Sequence, residues 1–322
     1  MKRGNDSARR GSYFRVSVLV LLALLLLLCG CQRAEKPRPQ GIPEISGEMA
    51  SEAAGKLLSG PAEKYSHGIC RVTFLDVGQG HATLFQTDEA AVLVDGGGRD
   101  TSSFVVSWLM DQGIEHLDLI VATHWDADHI SGLIGVMNRI PTGGVWVTER
   151  TEETYTGDSF LKMAEQKNIP VEIPEPLTEL TTGRMTFTVL GPFYVAEEIE
   201  NNNSLVIRMD YGENRVLITG DAQTEEEEAI LGEEMDVRAQ VLLCGHHGSA
   251  NSSSAAFLEA VSPRYAVISC GSGNDYGHPH EVLLRRLRAC GASIFRTDLQ
   301  GTVVCELTED EIRWQVSPWE ER

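Results

Sequence analysis

Residues 123–132 read "THWDADHISG", placing two histidines and two aspartates within six consecutive positions (124–129). The run before it, "LDLIVATH" (117–124), has a continuous apolar core at 119–122 and reads as a strand. The run after it, "ISGLIGVMNRI" (130–140), has helical spacing. Strand alternation turns His124 and Asp126 to the same side, with Asp128 and His129 at the helix entry. Four nitrogen and oxygen donors in one turn suit zinc or manganese, with the harder ion favoured as carboxylates replace imidazoles. The competing role for Asp128 is that of a helix N-cap.

The same alternation extends outward. "CRVTFLDVG" (70–78), "HATLFQT" (81–87) and "AAVLVDGGG" (90–98) are short β-rich runs closed by glycine or polar turns. "TSSFVVSWLMDQG" (101–113) reads as a helix with a Thr101 cap and an apolar face of Phe104, Trp108 and Leu109. A second half repeats the style. Strands are expected at "MTFTVLGP" (185–192), "NSLVIRMDYG" (203–212), "NRVLITGDA" (214–222), "AQVLLCGHHGS" (239–249) and "YAVISCG" (265–271). Helices are expected from Thr224 and at "AFLEAVS" (256–262) and "EVLLRRLRACG" (281–291), before closing strands "GTVVCEL" (301–307) and "EIRWQV" (311–316). This order predicts an α/β domain of two packed sheets covered by helices. Gly78, Gly80 and residues 96–98 are expected to supply positive-φ turns. The four glutamates at 225–228 read as a solvated first helical turn favoured by the helix dipole.

The front of the chain is addressing. Lys2, Arg3, Arg9, Arg10 and Arg15 precede an apolar run at 16–28, shorter than the roughly 20 residues of a membrane span. That run fits a signal-peptide core, and it ends in "LCGC", which resembles a bacterial lipobox with Cys31 as the lipidated residue. We therefore expect a lipoprotein signal peptide over 1–30 and a flexible stalk over 31–65, rich in Pro, Gly, Glu, Lys and Ala. The remaining body, 66–322, is expected to be one exported domain held at a membrane through the lipid. The formal charge is −20, which repels polyanions unless a cation intervenes. Cys70, Cys244, Cys270, Cys290 and Cys305 form no CxxC pair, and their odd number leaves at least one free thiol.

"HWDADH" resembles the HxHxDH signature of the metallo-β-lactamase fold, with Asp126 where the second histidine usually stands. "FLDVGQGHATLF", "VLVDGGG", "NNNSLVIRMDYGENRVLITGDA", "LLCGHHGSANSSS" and "YGHPHEVLLRRL" resemble, in the same order, the nuclease-type domain of ComEC competence proteins. The resemblance runs from about residue 72 to 301. It implies a four-layer αββα sandwich and a hydrolase holding one or two zinc or manganese ions. Carried over residue by residue, it gives His124 and Asp126 to one metal and Asp128 and His129 to the other. Asp221 is then the bridging carboxylate, and His246 the last ligand with His247 as its alternative. Asp95 matches a structural aspartate. The family's usual middle histidine is absent, its place reading Asn202, Asn203, Ser204. ComEC proteins carry this domain on a polytopic membrane channel, and no channel is expected from residues 1–322.

Such a cluster lowers the pKa of bound water and neutralises charge developing on a phosphoryl or carbonyl oxygen. Asp128 is the candidate proton acceptor. Ser249, Asn251 and His278 are candidates for gripping substrate oxygens, and His280 for protonating a leaving group. The expected function is a metal-dependent phosphodiesterase or nuclease acting outside the cytoplasm, on nucleic acid or a small phosphodiester. The alternatives are another hydrolase on the same fold (envelope phosphoester, lactone or β-lactam) and a non-catalytic DNA-binding receptor.

Overall fold

The computed structural model describes residues 68–197 and 199–320. The expected signal peptide, stalk and Cys31 lie outside the described residues. In chain order the strands begin with β1 (Cys70–Phe74), β2 (Thr83–Gln86), β3 (Ala91–Val94), β4 (Leu119–Val121) and β5 (Val145–Trp146). They continue with β6 (Val171–Glu172), β7 (Glu179–Thr182), β8 (Met185–Gly191), β9 (Val206–Tyr211) and β10 (Asn214–Ile218). The last are β11 (Val241–Leu243), β12 (Tyr265–Ile268), β13 (Ser293–Arg296), β14 (Val303–Leu307) and β15 (Ile312–Trp314). The helices are α1 (Ser102–Asp111), α2 (Ala127–Arg139), α3 (Tyr155–Lys167), α4 (Thr224–Gly232), α5 (Ala255–Val261), α6 (Glu281–Ala289) and α7 (Thr297–Gln300).

One sheet has the order β15-β14-β1-β2-β3-β4-β5-β6 and the other β13-β12-β11-β10-β9-β8-β7. Each is mixed. Strands β3 to β6 run parallel, as do β10 to β13, whereas β1 pairs antiparallel with both β2 and β14. Alternation along these strands sorts side chains into layers. Val92, Val94, Val241 and Leu243 face the core between the sheets. Leu93 points outward to meet Leu109 and Leu133 from the helices, and Leu242 outward to meet Leu258 and Leu283. Three apolar layers separate four structural ones, giving the expected αββα sandwich.

Local chemistry explains the helices that position the site. In α2, Ile130, Leu133, Val136 and Met137 recur at three- and four-residue spacing and are all buried. In α1 the buried stripe is Val105, Trp108 and Leu109. Phe104, expected on that face, is 40% exposed, a one-residue error in phase. Helix α3 had no sequence expectation. Its Thr154 cap accepts from the Gly157 amide at 3.1 Å, and only Gly157, Phe160 and Ala164 are buried.

The glycines after β3 act mainly through space. Of residues 96–98 only Gly97 has positive φ, whereas Gly78 and Gly80 both do, as expected. Gly96 and Gly132 let the loop and α2 touch backbone to backbone. A Cβ on Gly132 would lie 1.7 Å from the Gly96 carbonyl oxygen. The Gly132 amide donates to the Gly97 oxygen at 2.9 Å across the same contact. Gly132→Ala must therefore displace α2, and it should destabilise the protein by about 1–3 kcal/mol. Urea unfolding measures this, and an unchanged midpoint would refute the close-packing role.

Candidate metal centre

The site lies at the carboxyl ends of parallel strands, where α/β sheets commonly bind ligands. β4 leads into residues 122–129, β10 into Asp221, β11 into the 246–248 turn and β12 into the loop reaching α6. Trp125 explains the local path. It is buried, stacks edge-on against Phe160, and donates its indole N–H to the Thr148 oxygen at 3.1 Å. With Trp125 pinned under α3, its neighbours His124 and Asp126 turn the other way. Asp126 occupies the N-cap position of α2, yet its carboxylate makes no cap hydrogen bond. It faces His124 Nε2 at 3.6 Å instead.

Behind these residues sits Asp95, fully buried in a left-handed conformation of φ 57°. Its Oδ1 accepts from the Thr123 amide at 2.8 Å, and its Oδ2 from the Thr123 hydroxyl at 2.7 Å. The same Oδ2 accepts from His129 Nδ1 at 2.7 Å and His81 Nδ1 at 2.9 Å. Burial alone would raise this carboxyl, but the two imidazoles outweigh it and hold Asp95 well below the usual carboxylate range. His81 is lowered by burial, against the opposing pull of Asp95. His81 has only a faint signal in the sequence, a histidine opening a β-rich run.

These bonds fix the imidazole tautomers. A carboxylate only accepts, so His129 Nδ1 carries the proton and Nε2 points forward. The Thr123 hydroxyl donates to Asp95, so at 3.1 Å it accepts from His124 Nδ1. His247 Nδ1 donates to the Ser269 carbonyl at 3.1 Å. Three Nε2 atoms thus converge. His129 Nε2 lies 3.3 Å from Asp221 Oδ1 and 3.2 Å from His247 Nε2. His247 Nε2 lies 3.2 Å from Asp128 Oδ2 and 3.5 Å from Asp221 Oδ2. His124 Nε2 lies 3.8 Å from Asp221 Oδ2 and is buried with no hydrogen-bond partner.

Charge balance in this cluster is tense. For Asp221, burial raises the carboxyl, but His247 and His129 hold it well below its ordinary range. For Asp128 the same contest, won by the His247 hydrogen bond and the charge of His129, ends at about 2. Burial lowers His129 and His247, yet Asp221 raises both, His129 strongly. Two Nε2 atoms facing each other, beside a buried orphan nitrogen and three carboxylates, form a donor set suited to a divalent cation. His124, His129 and Asp221 form one group able to hold an ion, and Asp128, His129 and His247 another. Separations of 3.2–3.8 Å are compatible with shared ligation at bond lengths of about 2.0–2.2 Å.

Both histidines of "GHHGS" reach Asp221. His247 is the one beside Asp128 and His129, so it fills the place that the resemblance gave first to His246. His246 Nε2 lies 3.7 Å from Asp221 Oδ2 and 3.3 Å from the Asn201 side chain. Both residues adopt left-handed conformations, which sends adjacent rings into one cavity. The stretch 202–204 is structural. Asn202 accepts from the Gln223 amide, Asn203 bonds both backbone groups of Ala196, and the Ser204 hydroxyl accepts from the Asp221 amide. Together they hold the Asp221 loop.

Other expected residues have different jobs. His280 accepts from the Ala250 amide at Nδ1 and donates to the Tyr276 oxygen at Nε2. With both nitrogens spent on backbone, it positions loops and has no free nitrogen for proton transfer. Ser249 is buried and accepts from the Asn251 amide at 3.4 Å, while the Asn251 carbonyl accepts from Thr224. His278 stands nearer, its ring 5.7 Å from His246 and 6.4 Å from His247. The "EEEE" expectation is corrected as well: Glu226 and Glu227 are buried. Glu227 accepts from the Ser253 and Ser254 amides at the start of α5. Burial and its neighbour push the Glu226 carboxyl well up.

The chain belongs to the metallo-beta-lactamase superfamily, whose family model matches residues 75–272. It is 32% identical to competence protein ComA of Neisseria gonorrhoeae over 95% of this chain and 43% of that protein. It is 29% identical to ComE operon protein 3 of Bacillus subtilis over 72% of this chain and 32% of that protein. It therefore spans less than half the length of these relatives. Among solved structures, the diiron β-hydroxylase CmlA of Streptomyces venezuelae shares the fold. Its TM-score is 0.52 at 16% identity, covering 76% of this chain and 55% of that one.

Asp95→Asn removes a carboxylate oxygen from the hub that orients His129. Affinity for zinc or manganese should fall about 10–100-fold in competition titrations with a chelator. Unchanged affinity would show that the ligands orient themselves.

Proposed function

We propose that the chain is a metal-dependent hydrolase of phosphodiesters, acting on nucleic acid outside the cytoplasm. The observation that carries this reading is the convergence of His124, Asp126, Asp128, His129, Asp221, His246 and His247 around one buried orphan nitrogen. The nucleic-acid substrate is supported by similarity to proteins named for competence and, in Haemophilus influenzae, for recombination. In this reading His124, Asp126 and His246 would hold one zinc or manganese ion and Asp128, His129 and His247 a second, with Asp221 in reach of both. His246 stands in for the absent middle histidine, its Nε2 3.3 Å from the Asn201 side chain.

Divalent cations bound there would activate water and neutralise charge developing on the phosphoryl oxygens. The chain's own part is to keep Asp128 ionised and aimed at the attacking water. A carboxyl held at about 2 is a weak base, so its role is orientation and cation binding rather than proton storage. Asp95 and Ser269 hold protons on the far sides of His129 and His247, leaving their Nε2 lone pairs for ligation.

Purified protein stripped with a chelator and reloaded with manganese, zinc or magnesium should cleave bis(p-nitrophenyl) phosphate and DNA strands. Asp128→Asn should lower turnover at least about a hundredfold while the fold persists. His246→Ala should reduce tightly bound metal from about two ions per chain to about one. Cleavage of a lactone or β-lactam with no phosphodiester turnover would overturn the substrate class. Absence of both turnover and metal would leave the non-catalytic receptor.

We also propose that residues 1–30 direct export, that 31–65 form a stalk, and that Cys31 carries the lipid holding the 66–322 domain at the membrane. Cys31→Ala should move the protein from the membrane fraction to the soluble one. Retention at the membrane with unchanged mass would contradict this.

A further inference from the structure

Between β12 and α6 the chain forms a rim loop, residues 269–280, beside the histidine cluster. At its tip Tyr276 is 66% exposed. Isolated exposed aromatics are ordinary on protein surfaces, but this one is held in place by an unusual share of polar side chains. Asn274 Oδ1 accepts from the amides of Tyr276 (3.2 Å) and His278 (2.9 Å). Asn274 Nδ2 donates to the oxygens of Gly271 (2.8 Å) and His278 (2.6 Å). His280 bonds the Tyr276 oxygen from beneath and ties the loop to Ala250. The loop's first turn is wedged against the neighbouring 78–79 turn, where the Gly271 amide donates to Gln79 Oε1 and a Cβ on Gly271 would meet the Gln79 amide at 2.7 Å.

One face of Tyr276 is stacked on His278, with centroids 5.6 Å apart and planes 22° from parallel. His278 in turn lies 5.7 Å from the His246 ring. An aromatic ladder thus runs from solvent to the cluster in two steps. The charge of the protein explains its value. At −20 the chain is poorly suited to hold a polyanion through phosphate contacts. Asp126 and Glu152 act on Glu200 as neighbouring negative charges, with Arg150 as the opposing cation. Beyond the charge that bound cations would offset, affinity for nucleic acid draws on uncharged contacts, and stacking on a π face is worth about 1–3 kcal/mol per base. We propose that Tyr276 is a stacking platform for an unpaired nucleobase, positioning the adjoining phosphodiester over the cluster. This deepens the phosphodiesterase reading and rests on it. It selects single strands, because paired bases in a duplex offer no free face.

The test is fluorescence anisotropy with a labelled oligothymidylate and an abasic strand of equal length, on the full chain with manganese. Tyr276→Ala should weaken oligothymidylate binding about tenfold, and Tyr276→Phe or Tyr276→Trp should preserve it. The abasic strand should bind the wild type and Tyr276→Ala alike. The tenfold ratio should persist as added salt weakens binding overall. Equal loss on both strands, or no loss on either, overturns the stacking role. If bis(p-nitrophenyl) phosphate is cleaved but binding ignores Tyr276, stacking fails and the hydrolase reading stands. If binding depends on Tyr276 but no phosphodiester is cleaved, stacking stands and the hydrolase reading fails.

Discussion

The centre depends on one desolvated carboxylate. Asp95 sits at zero exposure behind the cluster, and a buried charge of that kind is tolerable only when fully hydrogen-bonded. Its partners come from three segments: Thr123 and His129 on either side of the α2 entry, and His81 before β2. Satisfying Asp95 therefore fixes the path of the strand–helix turn and the tautomer of His129 at once. Through the Thr123 hydroxyl it also fixes His124. The backbone contact between Gly96 and Gly132 keeps α2 close enough for these bonds.

The opposite half of the cluster is supported by different means. The Asp221 loop hangs on Asn202 and Ser204, and the 246–248 turn is tied to it by the His246 amide bonding the Gly220 oxygen. Each sheet thus delivers a preorganised half-site, and Asp221 lies within reach of both. Without a cation, and against the lowering effect of burial, Asp221 and its neighbouring carboxylates raise His129 and His247 and so favour protons on the converging nitrogens. A divalent ion would take the place of those protons, which is the electrostatic case for a bound ion.

Much of this was legible in the sequence because it is periodic or compact. "THWDADH" announces its strand, its turn and four donors in one short run, and "VLVDGGG" marks a strand ending in a tight loop. Elements without that clarity were missed. Helix α3 buries only three residues and carries a glycine in its first turn, so its apolar signal is faint. Strands β5 and β6 are two residues each, too short for alternation to register. His81 and the burial of Glu226 and Glu227 depend on partners distant in sequence, which spacing does not encode. The order of His246 and His247 is set by two left-handed residues in succession, a backbone feature invisible in a letter string. The resemblance to ComEC-type proteins supplies the gathering of ligands across about 120 residues, which periodicity alone does not give.

The most direct measurement is anomalous diffraction at the manganese or zinc edge from crystals grown with that metal. The expected map has two peaks flanking Asp221, one within ligand distance of His124, Asp126 and His246, the other of Asp128, His129 and His247. Peaks elsewhere, or a flat map over these side chains with metal bound in solution, would contradict a cation centre built on the Asp95-oriented histidines.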